Sequence, residues 1–470
     1  MAPSMTANYP YSQISEFSKT IATSSDLDPN FGGGVSFKPS SCGGITTARK
    51  PWQILQDALG FRNEDEHFWW ETTASVLGCL LEKAGYDVHL QYQYLSLYYR
   101  YVLPSYGPRP LQPGVPHWKS FMCDDFSPFE PSWNWDGSKS IIRFSFEPIN
   151  RASGTSADPF NQIKPREVLA EISDISAGLD TQWYDHFARE FFLPSETASI
   201  IRSRLPEGEH MSQSFLAWDL NGGEASTKAY FFPILRSLET GRSTRDIVVD
   251  AITKLDSEKT SLRPSLTVLE DYMSSLPTEW QAKYEMIAID CTDPSKSRIK
   301  IYVRMPSMAF NKVRDMYCLG GRLHGPNVDA AMKILDDLWP RVLYIPEGTG
   351  PDDELPSNTH RTAGAIFNFE LKPGNPLPDP KLYLPVRHYA KSDLDIARGL
   401  QSFFRLQGWD EMADSYVEDL KNIFPTHDLA NTAGSHTYLS YSYKKKTGAA
   451  VTMYYNPRIY ECPPVVDEVF

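Results

Sequence analysis

Residues 296–304 read KSRIKIYVR. Arg298, Lys300, Tyr302 and Arg304 alternate with Ile299, Ile301 and Val303. A period of two marks a β-strand, whose successive side chains point to opposite faces. One face of this strand is apolar and the other carries three cations and a tyrosine. For a single strand the plain account is that the charged face lies in solvent.

The surrounding chain argues otherwise, because it repeats the pattern. Five candidate hairpins lie between amphipathic stretches. FEPSWNW joins SIIRFSFEP through Asp136-Gly137, and SFLAWDL joins STKAYFFP through Asn221-Gly222. Such Asx-Gly pairs are strong hairpin signals. MIAIDC joins SRIKIYVR through TDPSK, AIFNFEL joins KLYLPVR through KPGNPLPDP, and TYLSYSY joins AVTMYYN through KKKTG. Arg143, Lys228, Lys300 and Lys381 fall at similar places in four of the second strands, and Thr452 in the fifth. Lys228 shares its face with Tyr230 and Phe232, and Lys381 with Tyr383 and Arg387. The loose recurrence reads as an internal repeat of helices plus hairpin.

Helical spacing marks EDEHFWWETTASVLGCLLEKAG, with Gly85 as its stop, and several later stretches. They include NVDAAMKILDDLWPRV and a long DLDIARGLQSFFRLQGWDEMADSYVEDLKNIF. Ten strands with one apolar face, accompanied by such helices, predict an α/β chain. Its expected form is a closed ten-stranded antiparallel barrel ringed by helices. The polar and aromatic face then turns inward, into a lumen wide enough for a ligand.

Bulk properties fit a globular protein. Of the 470 residues, 41% are hydrophobic and 22% charged, and the formal net charge is −13. That charge disfavours nucleic acid as a partner and leaves a local cluster of cations unexplained by general basicity. Length alone suggests about three domains. No Pro/Ser linker divides the repeats, however, so residues 51–470 read as one domain behind a poorly ordered arm at 1–50. The GGG in that arm is not a phosphate loop, since no GK[ST] follows. No apolar run is long enough to span a bilayer and no signal pattern opens the chain, which predicts a cytoplasmic protein without a membrane partner. Cys42, Cys79, Cys123, Cys291, Cys318 and Cys462 are scattered, which argues for a reducing compartment and against a zinc site. His67, His186, His388 and His436 are isolated and read as structural.

Several lysines and arginines facing one cavity demand an anion, because buried cations without partners are costly. Alternating tyrosines suit a cation, which an electron-rich ring attracts by roughly 0.5–2 kcal/mol. A ligand that is anionic at one end and cationic during reaction satisfies both. An allylic diphosphate is such a ligand.

The sequence resembles the fungal aromatic prenyltransferases of the dimethylallyl-tryptophan-synthase superfamily. The resemblance rests on Trp69-Trp70, QYQYLSLYY, FEPSWNW, RFSFEP, GTSADPFN, KAYFFP, CTDPSKSRIKIY, LGGR, KLYLP and YLSYSY. It implies a barrel built from five αββα repeats. It makes Arg143, Lys228, Arg298, Lys300 and Lys381 diphosphate ligands, and Tyr230, Tyr302, Tyr383, Tyr438 and Tyr454 shields of the allyl cation. It makes Glu130 the group that accepts a hydrogen bond from the aromatic acceptor; the residue alone reads first as a strand-end ion pair. Arg304 acquires no role and is expected at the barrel rim. No DDxxD motif occurs, so no metal ligands and no obligatory cofactor are expected, with Mg²⁺ or Ca²⁺ at most stimulatory. The expected small-molecule partners are dimethylallyl diphosphate and an aromatic acceptor, and the expected state is a monomer or homodimer.

Three acceptor-site positions depart from the tryptophan-using pattern. Phe215 stands where those members have a basic lysine, Glu285 where they have a carboxylate-binding arginine, and Phe232 in place of a tyrosine. An acidic residue repels a carboxylate, so the expectation is a neutral indole, such as a tryptophan-containing cyclic dipeptide, or a phenolic acceptor. Free tryptophan or tyrosine is the alternative. Ala450, where many members have a tyrosine, suggests room for a donor as long as geranyl. The rivals are a non-catalytic barrel that binds an aromatic ligand, which needs no cationic cluster, and a hydrolase, for which GxSxG and HExxH are lacking.

Overall fold

The computed structural model describes residues 49–461 except 138, 174, 177 and 258–260. The arm expected at 1–50 lies almost wholly outside the described residues. Ten strands form a closed antiparallel barrel in which each strand pairs with its chain neighbours and the last closes on the first. They are β1 (Phe129–Asp136), β2 (Lys139–Phe146), β3 (Ser214–Asn221), β4 (Glu224–Phe231) and β5 (Lys283–Asp290). The second half is β6 (Ile299–Met305), β7 (Ala365–Leu371), β8 (Asp379–Leu384), β9 (His436–Lys444) and β10 (Gly448–Tyr455). All five expected hairpins are present.

Alternation decides which way each strand faces. On β2, Ile142, Phe144 and Phe146 are buried in the large core shared with the helices, whereas Arg143 and Ser145 point into the barrel. On β6, Ile299, Ile301 and Val303 pack outward, while Tyr302 belongs to a separate cluster inside. The barrel thus has two interiors: an apolar shell between strands and helices, and a mixed aromatic and polar lumen.

The helices supply the other half of the shell. The helix Pro326–Val342 buries Met332, Leu335, Leu338 and Trp339, and Asp393–Leu406 buries Ile396, Leu400, Phe403 and Phe404. Both sets follow the three-to-four-residue spacing of one helical face. The long helical stretch expected from 393 onward is two helices. Gly408, at φ 73°, breaks it before Asp410–Ile423, because glycine enters the left-handed region without a Cβ clash. Gly85, at φ 77°, ends the first long helical segment as expected. KLYLPVR is not strand throughout. The strand stops at Leu384, and Pro385 leads into a helical turn, Val386–Tyr389, that carries Arg387 off the sheet. Among the described residues no helix is long and apolar enough to cross a membrane.

Helix Asp393–Leu406 comes closest to the chain at Gly399, where a Cβ would collide with the carbonyl oxygen of Arg341. Overpacking of this kind typically costs about 1–3 kcal/mol. Gly399→Ala should therefore lower the unfolding free energy by an amount in that range, read as a lower urea midpoint, and an unchanged midpoint would show that the two helices yield freely.

Candidate active site

Register places the inward side chains in successive layers along the barrel axis. The layer toward the hairpin turns is ionic. Arg143 on β2 lies opposite Asp219 on β3, Lys228 on β4 opposite Asp290 on β5, and Lys300 on β6 opposite Glu370 on β7. Lys381 on β8 lies opposite Asn368 on β7. Asp219 binds Lys228, and Arg143 Nε is 3.4 Å from it. Arg298 Nε donates to Asp290 at 2.6 Å, its Nη1 lies 2.9 Å from Glu370, and Lys300 Nζ is 3.7 Å from Asp290. Among the described residues Lys381 has no carboxylate within ion-pair distance.

Five cations therefore share three carboxylates. Burial would raise Asp219, but Arg143 and Lys228 hold it far below the ordinary carboxylate range. Burial likewise opposes ionisation of Glu370, yet Arg298 and Lys300 bring it down to about 2. Burial and the Arg298 charge press Lys300 down to about 8, and burial with the Arg143 and Lys300 charges pushes Lys381 well below its ordinary value. The layer has an unmet positive charge, and a polyanion would satisfy it. Asp219, Asp290 and Glu370 escaped the reading of the sequence. Their signal was present: each is the lone acid near the end of the first strand of a hairpin, in SFLAWDL, MIAIDC and AIFNFEL.

Two residues along the same strands comes a layer of tyrosines. The rings of Tyr230 and Tyr302 have centroids 6.1 Å apart, Tyr302 and Tyr383 5.6 Å, and Tyr383 and Tyr454 5.8 Å. They form an arc, and burial raises all four hydroxyls well above their ordinary value, so they stay neutral. Tyr438 does not continue the arc. It stands toward the mouth, where its hydroxyl donates to the Thr362 carbonyl at 2.9 Å and Arg304 donates to it at 3.4 Å. Ala450 precedes Thr452 on the inward face of β10, on the far side of the ionic layer from Tyr454 and away from the cavity.

Above the arc opens a cavity of about 800 Å³, counting the space open to solvent. Glu130, at the start of β1, lines it and accepts a hydrogen bond from Thr437 Oγ1 at 3.0 Å. Burial pushes the Glu130 carboxyl up to about 8; the Thr437 hydrogen bond works against this and the nearby Asp124 charge adds to it. The strand-end ion pair that Glu130 alone suggested is not what holds it. Phe215 stacks on Tyr230 with centroids 4.2 Å apart and planes 11° apart, a flat apolar wall suited to an aromatic guest. Phe232 lies behind that wall, 4.3 Å from Phe121, and does not line the cavity.

Glu285 and Arg304 require correction together. Arg304 is not at an exposed rim: it is 4% exposed, lines the cavity and lies 3.1 Å from Glu285. Although burial opposes it, Arg304 holds the Glu285 carboxyl down at about 2. Glu285 is thus a neutralised member of an ion pair and presents no free negative charge to an acceptor. His388 is not isolated either, since the fold brings it 4.8 Å from His360, ring to ring, and beside Asp124. His67, His186 and His436 are structural as read; His436 is fully buried against Asp393 at 2.9 Å.

A closed antiparallel barrel holding a cationic floor, an arc of tyrosines and an aromatic cavity is the construction of an aromatic prenyltransferase. The description Tryptophan dimethylallyltransferase matches residues 65–419. A 7-dimethylallyltryptophan synthase of Aspergillus fumigatus is 45% identical over 426 residues, covering 87% of this chain and 89% of its own. An indole diterpene prenyltransferase of Penicillium janthinellum is 38% identical, covering 87% and 95%. The crystal structure of AnaPT from Neosartorya fischeri superposes with a TM-score of 0.78 at 30% identity, over 87% of this chain and 98% of that one. The chain belongs to the tryptophan dimethylallyltransferase family and is a prenyltransferase.

The raised Glu130 has a consequence for stability. Between its ordinary value of 4.5 and about 8 the folded protein keeps a proton that the unfolded chain has lost. Stability from this group is therefore full below the lower value and falls as pH rises through the upper one. Glu130→Gln should flatten the decline in unfolding free energy between about pH 5 and pH 8. An identical slope in urea titrations of both proteins would place the origin elsewhere.

Proposed function

We propose that the chain transfers a dimethylallyl group from its diphosphate to a carbon of an indole or phenolic ring, with the parts of the lumen acting in order along the axis. The observation that carries this reading is five buried or half-buried cations with only three carboxylates beneath an arc of neutral tyrosines. Arg143, Lys228, Arg298, Lys300 and Lys381 grip the diphosphate. The allylic C–O bond breaks and its electron pair leaves with the diphosphate, whose growing charge the cations stabilise as a preorganised electrostatic site. Tyr230, Tyr302, Tyr383 and Tyr454 stabilise the allyl cation and keep water from it.

The acceptor lies against Phe215 and donates its ring N–H or hydroxyl to Glu130, which makes the ring more nucleophilic. A ring carbon attacks the cation. The proton of that carbon then leaves to the released diphosphate, or to Glu130 where it is ionised, since Phe215 supplies no base. Side-chain cations do the work that a metal does in other diphosphate chemistry, so turnover needs no added divalent ion. EDTA should leave the rate unchanged, and a rate abolished by EDTA and restored by Mg²⁺ would overturn that part of the reading.

A neutral acceptor is favoured because the charges around the cavity are already paired, Arg304 with Glu285 and Arg387 with Asp124 at 3.3 Å. A zwitterion has to re-partner them. Free tryptophan is the second reading, favoured by the 45% identity to a tryptophan-prenylating relative and by the presence of both signs of charge at the mouth. Mass spectrometry of a donor-and-acceptor matrix tests the reaction class. Within it, neutral indoles should exceed L-tryptophan in kcat/KM, and the reverse order would establish the second reading. Lys381→Met should lower kcat/KM for dimethylallyl diphosphate by about 10²-fold or more, the scale seen when one stabilising donor is lost. Glu130→Gln should lower kcat by about 10²-fold. A drop of less than threefold in both variants would sink the assignment.

A further inference from the structure

At the mouth of the barrel, two imidazole nitrogens and both oxygens of one carboxylate converge on one hydroxyl. The Thr362 Oγ1 is 2.6 Å from His388 Nε2, 2.8 Å from His360 Nδ1 and 3.2 Å from each carboxylate oxygen of Asp124. The Thr362 backbone N–H donates to His360 Nδ1 at 3.2 Å, which marks that nitrogen as an acceptor with its lone pair turned inward. One hydroxyl proton can satisfy only one of these acceptors. With His388 Nε2 unprotonated, the group holds more lone pairs than protons, and a cation would satisfy them.

We propose that Asp124, His360 and His388 form a binding site for one divalent transition-metal ion, Zn²⁺ in chemical class, at the cavity mouth. The potential ligand atoms all lie within 4.8 Å of one another. His388 Nε2 and Asp124 Oδ2 are 3.7 Å apart, against about 3.4 Å between the ligand atoms of a tetrahedral zinc. Two imidazoles and one carboxylate select zinc and its first-row neighbours over Mg²⁺ or Ca²⁺, which take oxygen ligands. Thr362 Oγ1 or water completes the shell. Arg387 competes for Asp124 at 3.3 Å, but its other terminal nitrogen lies 3.4 Å from Glu461, which can keep the guanidinium when the ion takes the carboxylate. Asp124 and His388 line the cavity and His360 does not. The ion therefore sits where an acceptor enters, beyond the tyrosines and remote from the ionic floor, and plays no part in breaking the C–O bond.

The test uses the full chain, stripped with EDTA and dialysed, without substrates. Equilibrium dialysis should find one Zn²⁺ per chain, bound at least tenfold more weakly by His360→Ala. That variant removes an exposed side chain outside the cavity, and matching circular dichroism serves as its folding control. His360→Gln provides a second variant should the first misfold. With Co²⁺, the wild type should show visible ligand-field bands and no thiolate-to-metal charge-transfer band. Substoichiometric binding, equal affinity in wild type and variants, or a thiolate band would each overturn the proposal.

Discussion

The structure depends on confining a group of like charges inside a closed sheet. Arg143, Lys228, Arg298, Lys300 and Lys381 come together because four second strands carry a cation at equivalent places and alternation turns each inward. Taken alone, such a set would repel itself and resist burial. Asp219, Asp290 and Glu370, set on the intervening strands by register, make it tolerable without neutralising it. This incomplete compensation separates the site from a structural ion network. Full pairing would leave nothing for a diphosphate to gain, and no pairing would put the empty barrel at risk of opening.

The closed barrel resolves a second conflict. A strand with cations and tyrosines on one face and isoleucines on the other cannot sit in an ordinary sandwich core. In the barrel the isoleucines, phenylalanines and tryptophans meet the helices outside, and the lumen receives everything else. The tyrosine layer follows the cationic layer by two residues on β4, β6 and β8, so on the proposed reading the spacing of leaving group and allyl fragment is set by the rise of a β-strand. Bound this way, the donor has its charged end and its reacting carbon in different environments before any bond breaks.

At the open end the design changes from repetition to individual pairs. Arg304 with Glu285 spans the third hairpin at the bulge in β5, and Arg387 with Asp124 joins the turn after Pro385 to the segment before β1. These elements lie at the end where the acceptor enters, while the floor keeps its five cations. On the proposed reading, the chemistry lies in the repeated layers and the choice of acceptor lies at the mouth.

Which face of each strand is apolar, where the hairpins turn, and that four cations and several tyrosines share one face were all legible in the sequence, because alternation is a local property with a period of two. The barrel followed from those facts, and the residues that the resemblance singled out as donor layer and as Glu130 face one lumen. Partners across the lumen were not legible. That Glu285 is neutralised by Arg304, that Phe232 sits behind Phe121, and that His388 meets His360 and Asp124 all depend on side chains distant in the chain or carried by irregular segments. Ala450 was misplaced for a related reason: its position along the axis depends on register between strands, not on its own neighbours. Local spacing fixes the face a residue occupies, and only closure of the sheet decides what stands opposite.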